Sequence, residues 1–281
     1  MTTATSNRTR QDWIDVLRSH GIRPSRSMGQ NFLVEPSVVE AITSTAAIHN
    51  GDLIIEIGPG MGVLTRQLLN IGARVIGVEL DRELAAFLRK DLRDYPEFSL
   101  VEHDARHVDV TAITKNQPYQ VVANLPYSIA TVVIRHFVES ANPPTRLTVM
   151  VQREVAERMT ATPPAMSLLG LATQVYSDAE VAFVVPSDVF VPAPKVESAV
   201  VSMIVKQELA LSPADRERMF QLATMAFQRK RKTIANGLSQ GLDRAKSEVE
   251  DVLRTAELDP GLRPQALIVD DWIRLARALP T

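Results

Sequence analysis

The chain has 281 residues, 45% of them hydrophobic and 23% charged, with a net charge of −2. That length can bury a full core, as one large domain plus a small one. The balance of charge excludes a uniformly basic nucleic-acid binder, and no apolar run is long enough for a bilayer span, so no membrane partner is expected. Cysteine is absent, which excludes disulfides, thiol nucleophiles and Cys-ligated zinc and makes a cytoplasmic location the simplest reading.

Met1–Arg10 is polar, with no apolar segment, and is expected to be a disordered leader rather than a secretory signal. Asp12–Ser19 reads as a short helix with Trp13, Val16 and Leu17 on one face. Pro24 and Gly29 keep the next stretch in a loop. A helix is expected from about Ser37, carrying Val38, Val39 and Ile42.

Leu53–Ile57 is an apolar run bounded by Gly51 and Gly58, the pattern of a buried strand in a parallel sheet. Glycines 58, 60 and 62 then form a tight turn into a helix with Leu64, Leu68 and Leu69 on one face. The free N–H groups of such a helix point at whatever lies above the strand end. The spacing is Gly-x-Gly-x-Gly, preceded by Glu56, not the Gly-x-Gly-x-x-Gly of nicotinamide sites. It is the form typical of S-adenosylmethionine methyltransferases. The competing reading is a glycine-rich turn with no cofactor. Arg74–Glu79 weighs against that, as a second strand ending in a carboxylate. Glu79 lies one helix and one strand downstream, where an acid can accept both ribose hydroxyls.

Asp81 can cap the following helix, whose Leu84, Phe87 and Leu88 share a face. Phe98–Val101 reads as a third strand. Beyond it, His103 and His107 flank Asp104, but the segment leaves a strand rather than continuing a helix, which disfavours a metal site. No metal is expected. Asp104 is placed instead at the end of a parallel strand, able to accept a hydrogen bond from the adenine amino group of the cofactor. Tyr119–Ala123 is the fourth strand. The helix after it carries Ile129, Val132, Val133, His136 and Phe137 on one face, which makes His136 a core-face histidine. Leu147–Val151 is a fifth strand, and Glu154–Thr160 a helix that Pro163-Pro164 breaks. Ser167–Tyr176 is helical again. Val181–Val185 and Ser198–Val205 form a late antiparallel pair. From Ser212 onward only helical stripes remain: Met219, Leu222 and Ala226; Val249, Leu253 and Ala256; Trp272, Leu275 and Leu279.

The expected architecture is α/β: a Rossmann-like methyltransferase sheet at 23–206, after a leader and short helix at 1–22, with a small all-helical domain at 207–281.

Asn124-Leu125-Pro126-Tyr127, at the end of the fourth strand, carries the chemistry. The exocyclic amine of adenine is a poor nucleophile because its lone pair is delocalised into the ring. Hydrogen bonds from its N–H groups to the Asn124 oxygen and the Leu125 carbonyl would favour pyramidalisation and aim the lone pair at a methyl group. Pro126 fixes the turn, and Tyr127 can stack on the base, worth about 1–3 kcal/mol. Alignment for attack supplies much of the catalysis, and a sulfonium donor requires no dedicated general base. The base must leave its helix or loop, at a cost of a few kcal/mol. Phe190, in the Pro-rich loop 186–194, is the candidate for a second aromatic face; a loop phenylalanine plugging the core is the alternative.

Several blocks together resemble the bacterial small-subunit rRNA adenine dimethyltransferases, over about residues 20–280. They are Gly29-Gln30-Asn31-Phe32-Leu33, Glu56-Ile57-Gly58-Pro59-Gly60, Val78-Glu79-Leu80-Asp81, Asn124-Leu125-Pro126-Tyr127, Gln152-Arg153-Glu154-Val155-Ala156, the segment from Phe190 to Ser198, and Gln228-Arg229-Lys230-Arg231-Lys232-Thr233. The resemblance implies methylation of N6 of two adjacent adenosines near the 3′ end of 16S rRNA, within the small ribosomal subunit or its precursor, by a monomer. It implies cofactor contacts at Asn31, Leu33, Gly58, Glu79, Asp104 and Asn124, with Gly60 in the same turn, and Tyr127 and Phe190 flanking the target base. Ala165-Met166 departs from the usual Tyr-Gly pair, so contacts of that loop do not carry over. Two rivals remain: a large-subunit rRNA dimethyltransferase of the macrolide-resistance type, and a non-catalytic assembly factor of the same fold.

Residues 216–232 hold Arg216, Arg218, Arg229, Lys230, Arg231 and Lys232 against one acid, Glu217. A solvated charge run is the bland reading. In a slightly acidic chain with a nucleic-acid substrate, Arg229–Lys232 are expected to hold RNA phosphates without reading sequence.

Overall fold

All five residues of the Leu53–Ile57 strand are buried, and the rest of the sheet is built outward from it. The structure, a computed structural model, describes residues 8–25, 29–126 and 129–279. The elements in chain order are α1 (Arg10–Ser19), β1 (Phe32–Leu33), α2 (Pro36–Thr45), β2 (Leu53–Ile57), α3 (Val63–Ile71), β3 (Arg74–Glu79), α4 (Arg82–Asp91), β4 (Phe98–Glu102), α5 (Val110–Thr114), β5 (Gln120–Asn124) and α6 (Ala130–Val138). Then follow β6 (Arg146–Gln152), α7 (Arg153–Met159), α8 (Leu168–Tyr176), β7 (Ser177–Val185), β8 (Phe190–Val191), β9 (Ser198–Val205), α9 (Pro213–Phe227), α10 (Ile234–Leu242), α11 (Lys246–Thr255) and α12 (Val269–Ala278).

Seven strands form one sheet in the order β4-β3-β2-β5-β6-β9-β7, and β1 pairs with β8 in a separate two-stranded ladder. The β2–β3, β2–β5, β3–β4 and β5–β6 pairs are parallel, and β9 runs antiparallel to β6. The chain moves outward from β2 through β3 to β4, then returns to the other side of β2 with β5. The point where strand order reverses is where an open α/β sheet accepts a ligand. Ile57 is level with Val78 on one side and Ala123 on the other. Gly58, Glu79 and Asn124 therefore leave the sheet from the same row.

The chain divides into two compact units, one comprising residues up to Ala156 with Glu180–Val205, the other Glu157–Ala179 with Lys206 onward. The helical unit thus takes in α8 besides the expected 207–281. Within that unit Tyr176 stacks on Phe220 at 6.2 Å, and Lys206 N–H donates to the Tyr176 carbonyl at 2.9 Å. The three expected stripes are buried, Met219, Leu222, Leu253, Trp272 and Leu275 completely so.

Four local expectations change. The described part of the leader is structured: Thr9 and Asp12 form a reciprocal cap that starts α1 at Arg10, and Arg8 pairs with Asp91 at 3.2 Å. Residues 1–7 lie outside the described residues. Val132 is 53% exposed, and α6 buries Ala130, Val133, Ile134, Phe137 and Val138 instead. His136 is half-buried, its Nε2 2.9 Å from the Val108 carbonyl. α10, which contains Gly237 and Gly241, was not among the expected helical stripes. A Cβ on Gly241 would lie 2.8 Å from Met225, so the glycine lets α10 approach α9 closely.

Candidate active site

The glycine turn is tight below and open above. Gly58, Gly60 and Gly62 have φ of +63°, +59° and +77°, a region costly for other residues. A Cβ on Gly60 would press on the Phe32 ring at 3.2 Å, whereas one on Gly58 would meet nothing within 4 Å. Gly62 caps α3 without a side-chain hydrogen bond, leaving the helix N–H groups to what lies above. Above the turn is a cavity of about 300 Å³, bordered by the ends of β2, β3 and β5 and by the loops at 29–33 and 103–106.

Asn31, Leu33, Gly58, Gly60, Glu79 and Asp104 all line this cavity, and so do Asn124, Leu125 and Pro126. Tyr127 lies outside the described residues. Phe190 is elsewhere. It sits in β8 opposite Leu33, is 2% exposed, and packs in one apolar cluster with Phe32, Leu33 and Val34. Pairing with β1 turns its ring into the core, the alternative that the loop composition had left open. Its ring is not presented to the cavity.

Glu79 is no solvated strand end. It is 6% exposed, and its carboxylate accepts from three backbone N–H groups: Gly60 at 3.0 Å on Oε2, and Leu80 and Asp81 at 3.0 Å each on Oε1. Burial pushes its pKa up, and these donors offset part of the rise. A carboxylate has roughly four acceptor positions, so about one remains for a ligand hydroxyl, not the two expected.

Asp104 is held differently. Arg106 grips it through its own backbone N–H at 2.9 Å to Oδ1, through Nε at 3.0 and 3.1 Å to both oxygens, and through Nη2 at 2.6 Å to Oδ2. This side-chain hydrogen bonding lowers the Asp104 pKa to about 2. Again three donors leave about one acceptor position.

Asn124 Nδ2 donates to the Asn31 carbonyl at 3.2 Å, which leaves Oδ1 as an acceptor at the cavity. The Leu125 N–H is spent on the Met150 carbonyl at 3.1 Å, which fixes the turn to β6. Gln30 ties the 29–33 loop across the site, donating to Asp81 Oδ2 at 2.9 Å.

Glu56, Gln30 and Arg106 line the cavity and were not singled out as site residues from sequence. Glu56 is 2% exposed, and its Oε2 has no partner among the described residues. Burial pushes its carboxyl up to about 8; Thr65 lowers it in part and the Glu79 charge raises it further. The available signal for Glu56 was a carboxylate inside an otherwise apolar strand.

Arg229–Lys232 lie in the turn between α9 and α10, not on a helix face, and Lys230, Arg231 and Lys232 are exposed. None of the four has a side-chain ion pair among the described residues. Arg216 and Arg218 are otherwise engaged, on the Leu211 carbonyl at 3.1 Å and the Leu279 carbonyl at 3.3 Å. Among the described residues no group of three acidic, histidine or cysteine side chains could hold a metal, and no helix is long and apolar enough to cross a membrane.

A family model described as "Ribosomal RNA adenine dimethylase" matches residues 22–272. A Lactococcus lactis protein named "Ribosomal RNA small subunit methyltransferase A" is 39% identical over 94% of this chain and 93% of its own length. An Enterococcus faecalis protein of the same name is 36% identical over 98% and 96%. Among solved structures, "23S rRNA methyltransferase ErmE" superposes with a TM-score of 0.70 at 27% identity, covering 89% of this chain and 99% of that one. A dimethyladenosine transferase from Plasmodium falciparum shares the fold, with a TM-score of 0.73 at 24% identity over 86% and 94%.

Proposed function

Because the chain belongs to the ribosomal RNA adenine dimethylase family, we propose that it dimethylates N6 of two adjacent adenosines near the 3′ end of 16S rRNA, in the small ribosomal subunit or its precursor. The enzyme works as a monomer in the cytoplasm. S-adenosylmethionine is the cofactor, and it supplies an activated methyl group on a sulfonium.

The cavity suits that group. Two carboxylates with one acceptor position each, Glu79 and Asp104, answer a ribose hydroxyl and an adenine amino group. Burial keeps the Glu56 carboxyl, with its partnerless Oε2, protonated, and a sulfonium bound beside it would favour its ionised form. Asn31 and Leu33 close the site from the loop, and the open space over Gly58 lets a ligand approach the backbone.

The observation that carries the reading is the Asn124 amide. Its N–H is committed to the Asn31 carbonyl, so the oxygen is turned to accept. With the Leu125 carbonyl it can take both N–H groups of an exocyclic amine and aim the nitrogen lone pair. Pro126 holds the turn, and Tyr127 is assigned the stacking face. Phe190 would need to swing out of the core to form a second face. Arg229, Lys230, Arg231 and Lys232 are assigned to RNA phosphates; their lack of acidic partners leaves that charge available.

Radiolabelled cofactor offered to undermethylated small subunits, to large subunits and to the two naked rRNAs tests the assignment. Label on small-subunit adenosines is expected. Label on the large subunit alone would favour the macrolide-resistance reading, and no label anywhere the assembly-factor reading. Asn124→Ala should lower the single-turnover rate by about 100-fold or more while RNA affinity changes little. A near-normal rate would remove the amine-orienting role.

A further inference from the structure

The carboxylate assigned to the cofactor's adenine does not stand alone. Arg106, two residues on, covers both Asp104 oxygens and itself lines the cavity. Two roles are open to such a guanidinium. It could block the carboxylate, or it could aim it. The donor count decides. Arg106 brings three N–H donors, from its backbone N, Nε and Nη2, the single Nε–H being shared between both oxygens, to a group with roughly four acceptor positions. One position is left, on an oxygen already oriented by a planar, bidentate partner.

We propose that Arg106 is a positioning and specificity residue for the cofactor: it locks the Asp104 carboxylate in the rotamer that offers its last acceptor position to the 6-amino group of the purine. The proposal rests on the assignment of Asp104 to adenine. The Asp104 side chain is only 18% exposed, while that of Arg106 is 41% exposed, so the clamp comes from the solvent side of the carboxylate. Without it, the short Asp side chain gains rotamer freedom and water competes for both oxygens.

The carboxylate that the clamp aims also sets chemical discrimination. An ionised carboxylate can only accept, so it favours a purine with a 6-amino donor and repels one with a 6-oxo acceptor. A protonated carboxyl could donate to the 6-oxo group and would lose the distinction. An aspartate is ionised near neutral pH with or without Arg106, so the clamp contributes through geometry, by keeping the accepting oxygen aimed at the 6-position. A site built around a hydrogen bond rejects the analogue that cannot make it far better than an apolar pocket rejects a change of size.

Binding calorimetry with S-adenosylhomocysteine and its 6-oxo (inosine) counterpart tests this without turnover. The proteins are wild type, Arg106→Ala, Arg106→Lys and Asp104→Ala, each checked by thermal melting. Wild type should prefer the amino ligand by about 10–100-fold, the worth of one hydrogen bond to a charged group. Arg106→Ala should lose about tenfold in affinity for the amino ligand and narrow the preference, and Arg106→Lys should recover part of both. Asp104→Ala should abolish the preference. If Asp104→Ala keeps it, the adenine assignment and the proposal fall together. If Asp104→Ala abolishes it but Arg106→Ala keeps wild-type affinity and preference, Arg106 is a surface ion pair and only the proposal falls. Tighter binding by Arg106→Ala would identify a block rather than a clamp and would also overturn it.

Discussion

Glu79 and Asp104 end neighbouring strands, line the same cavity and are left with about one free acceptor position each, yet they are held by different means. Glu79 is bonded to the backbone: its oxygens take the N–H groups of Gly60, Leu80 and Asp81 and so join the glycine turn to the start of the α4 segment. Asp104 is bonded to one neighbour, Arg106, whose side chain is exposed. The first carboxylate is therefore part of the fold as well as part of the site. The second can be changed with little consequence for the fold.

The sharpest way to break the comparison is Glu79→Ala. Strand-end position alone suggests a variant that loses cofactor and keeps its stability. The structure revises that, because three N–H groups lose their acceptor. A cost of about 2 kcal/mol is expected, with cofactor affinity reduced at least tenfold. Unchanged thermal melting of Glu79→Ala would show that relief of carboxylate desolvation cancels the lost hydrogen bonds. Asp104→Ala comes next: about tenfold weaker cofactor binding by calorimetry, and a melting temperature within about 2 °C of wild type. A large drop in melting temperature would erase the difference between the two sites.

Glu56 sharpens the comparison as the carboxyl with an unpartnered oxygen. Its folded-state pKa of about 8 lies above the ordinary glutamate value of 4.5. The folded protein keeps a proton that the unfolded chain has released, so this contribution to stability is fully present below pH 4.5 and is lost as pH rises towards 8. The slope is at most about 1.4 kcal/mol per pH unit. Denaturant melts of Glu56→Gln across that range should fall less with pH than wild type; identical slopes would mean that Glu56 is ionised when folded. The smallest effect on the cavity is expected from the Arg229→Ala, Lys230→Ala double variant. Subunit binding should weaken and its salt slope fall by roughly two units, with cofactor affinity unchanged. A wild-type slope would return these residues to a solvated face.

Much of the fold was legible because it rests on local periodicity. Largely apolar runs of five or six residues marked β2, β3, β5 and β6, and glycines at 58, 60 and 62 marked the turn. Helical stripes marked α9, α11 and α12. The elements that were missed lack such a signal. β1 and β8 are two residues each and exist only as each other's partner. α10 carries two glycines whose purpose is visible only against Met225 and Ala226. α8 was expected as a helix, but its place in the helical unit was not, because it rests on Tyr176 and Phe220, which are far apart in sequence.

The site divides in the same way. Sequence by itself determined the ends of β2, β3 and β5, because a parallel strand followed by a glycine turn, an acid or an Asn-Leu-Pro-Tyr turn has one place in a doubly wound sheet. Only the tertiary structure decided what each side chain does there. Phe190 faces the core because the β1–β8 ladder turns it inward. The Asn124 oxygen faces the cavity because a carbonyl 93 residues away takes the nitrogen. Glu79 is shared with the backbone of the glycine turn, 19 residues upstream. Periodicity and strand order are properties of neighbouring residues. Burial and the choice of hydrogen-bond partner depend on groups that only the folded chain brings together.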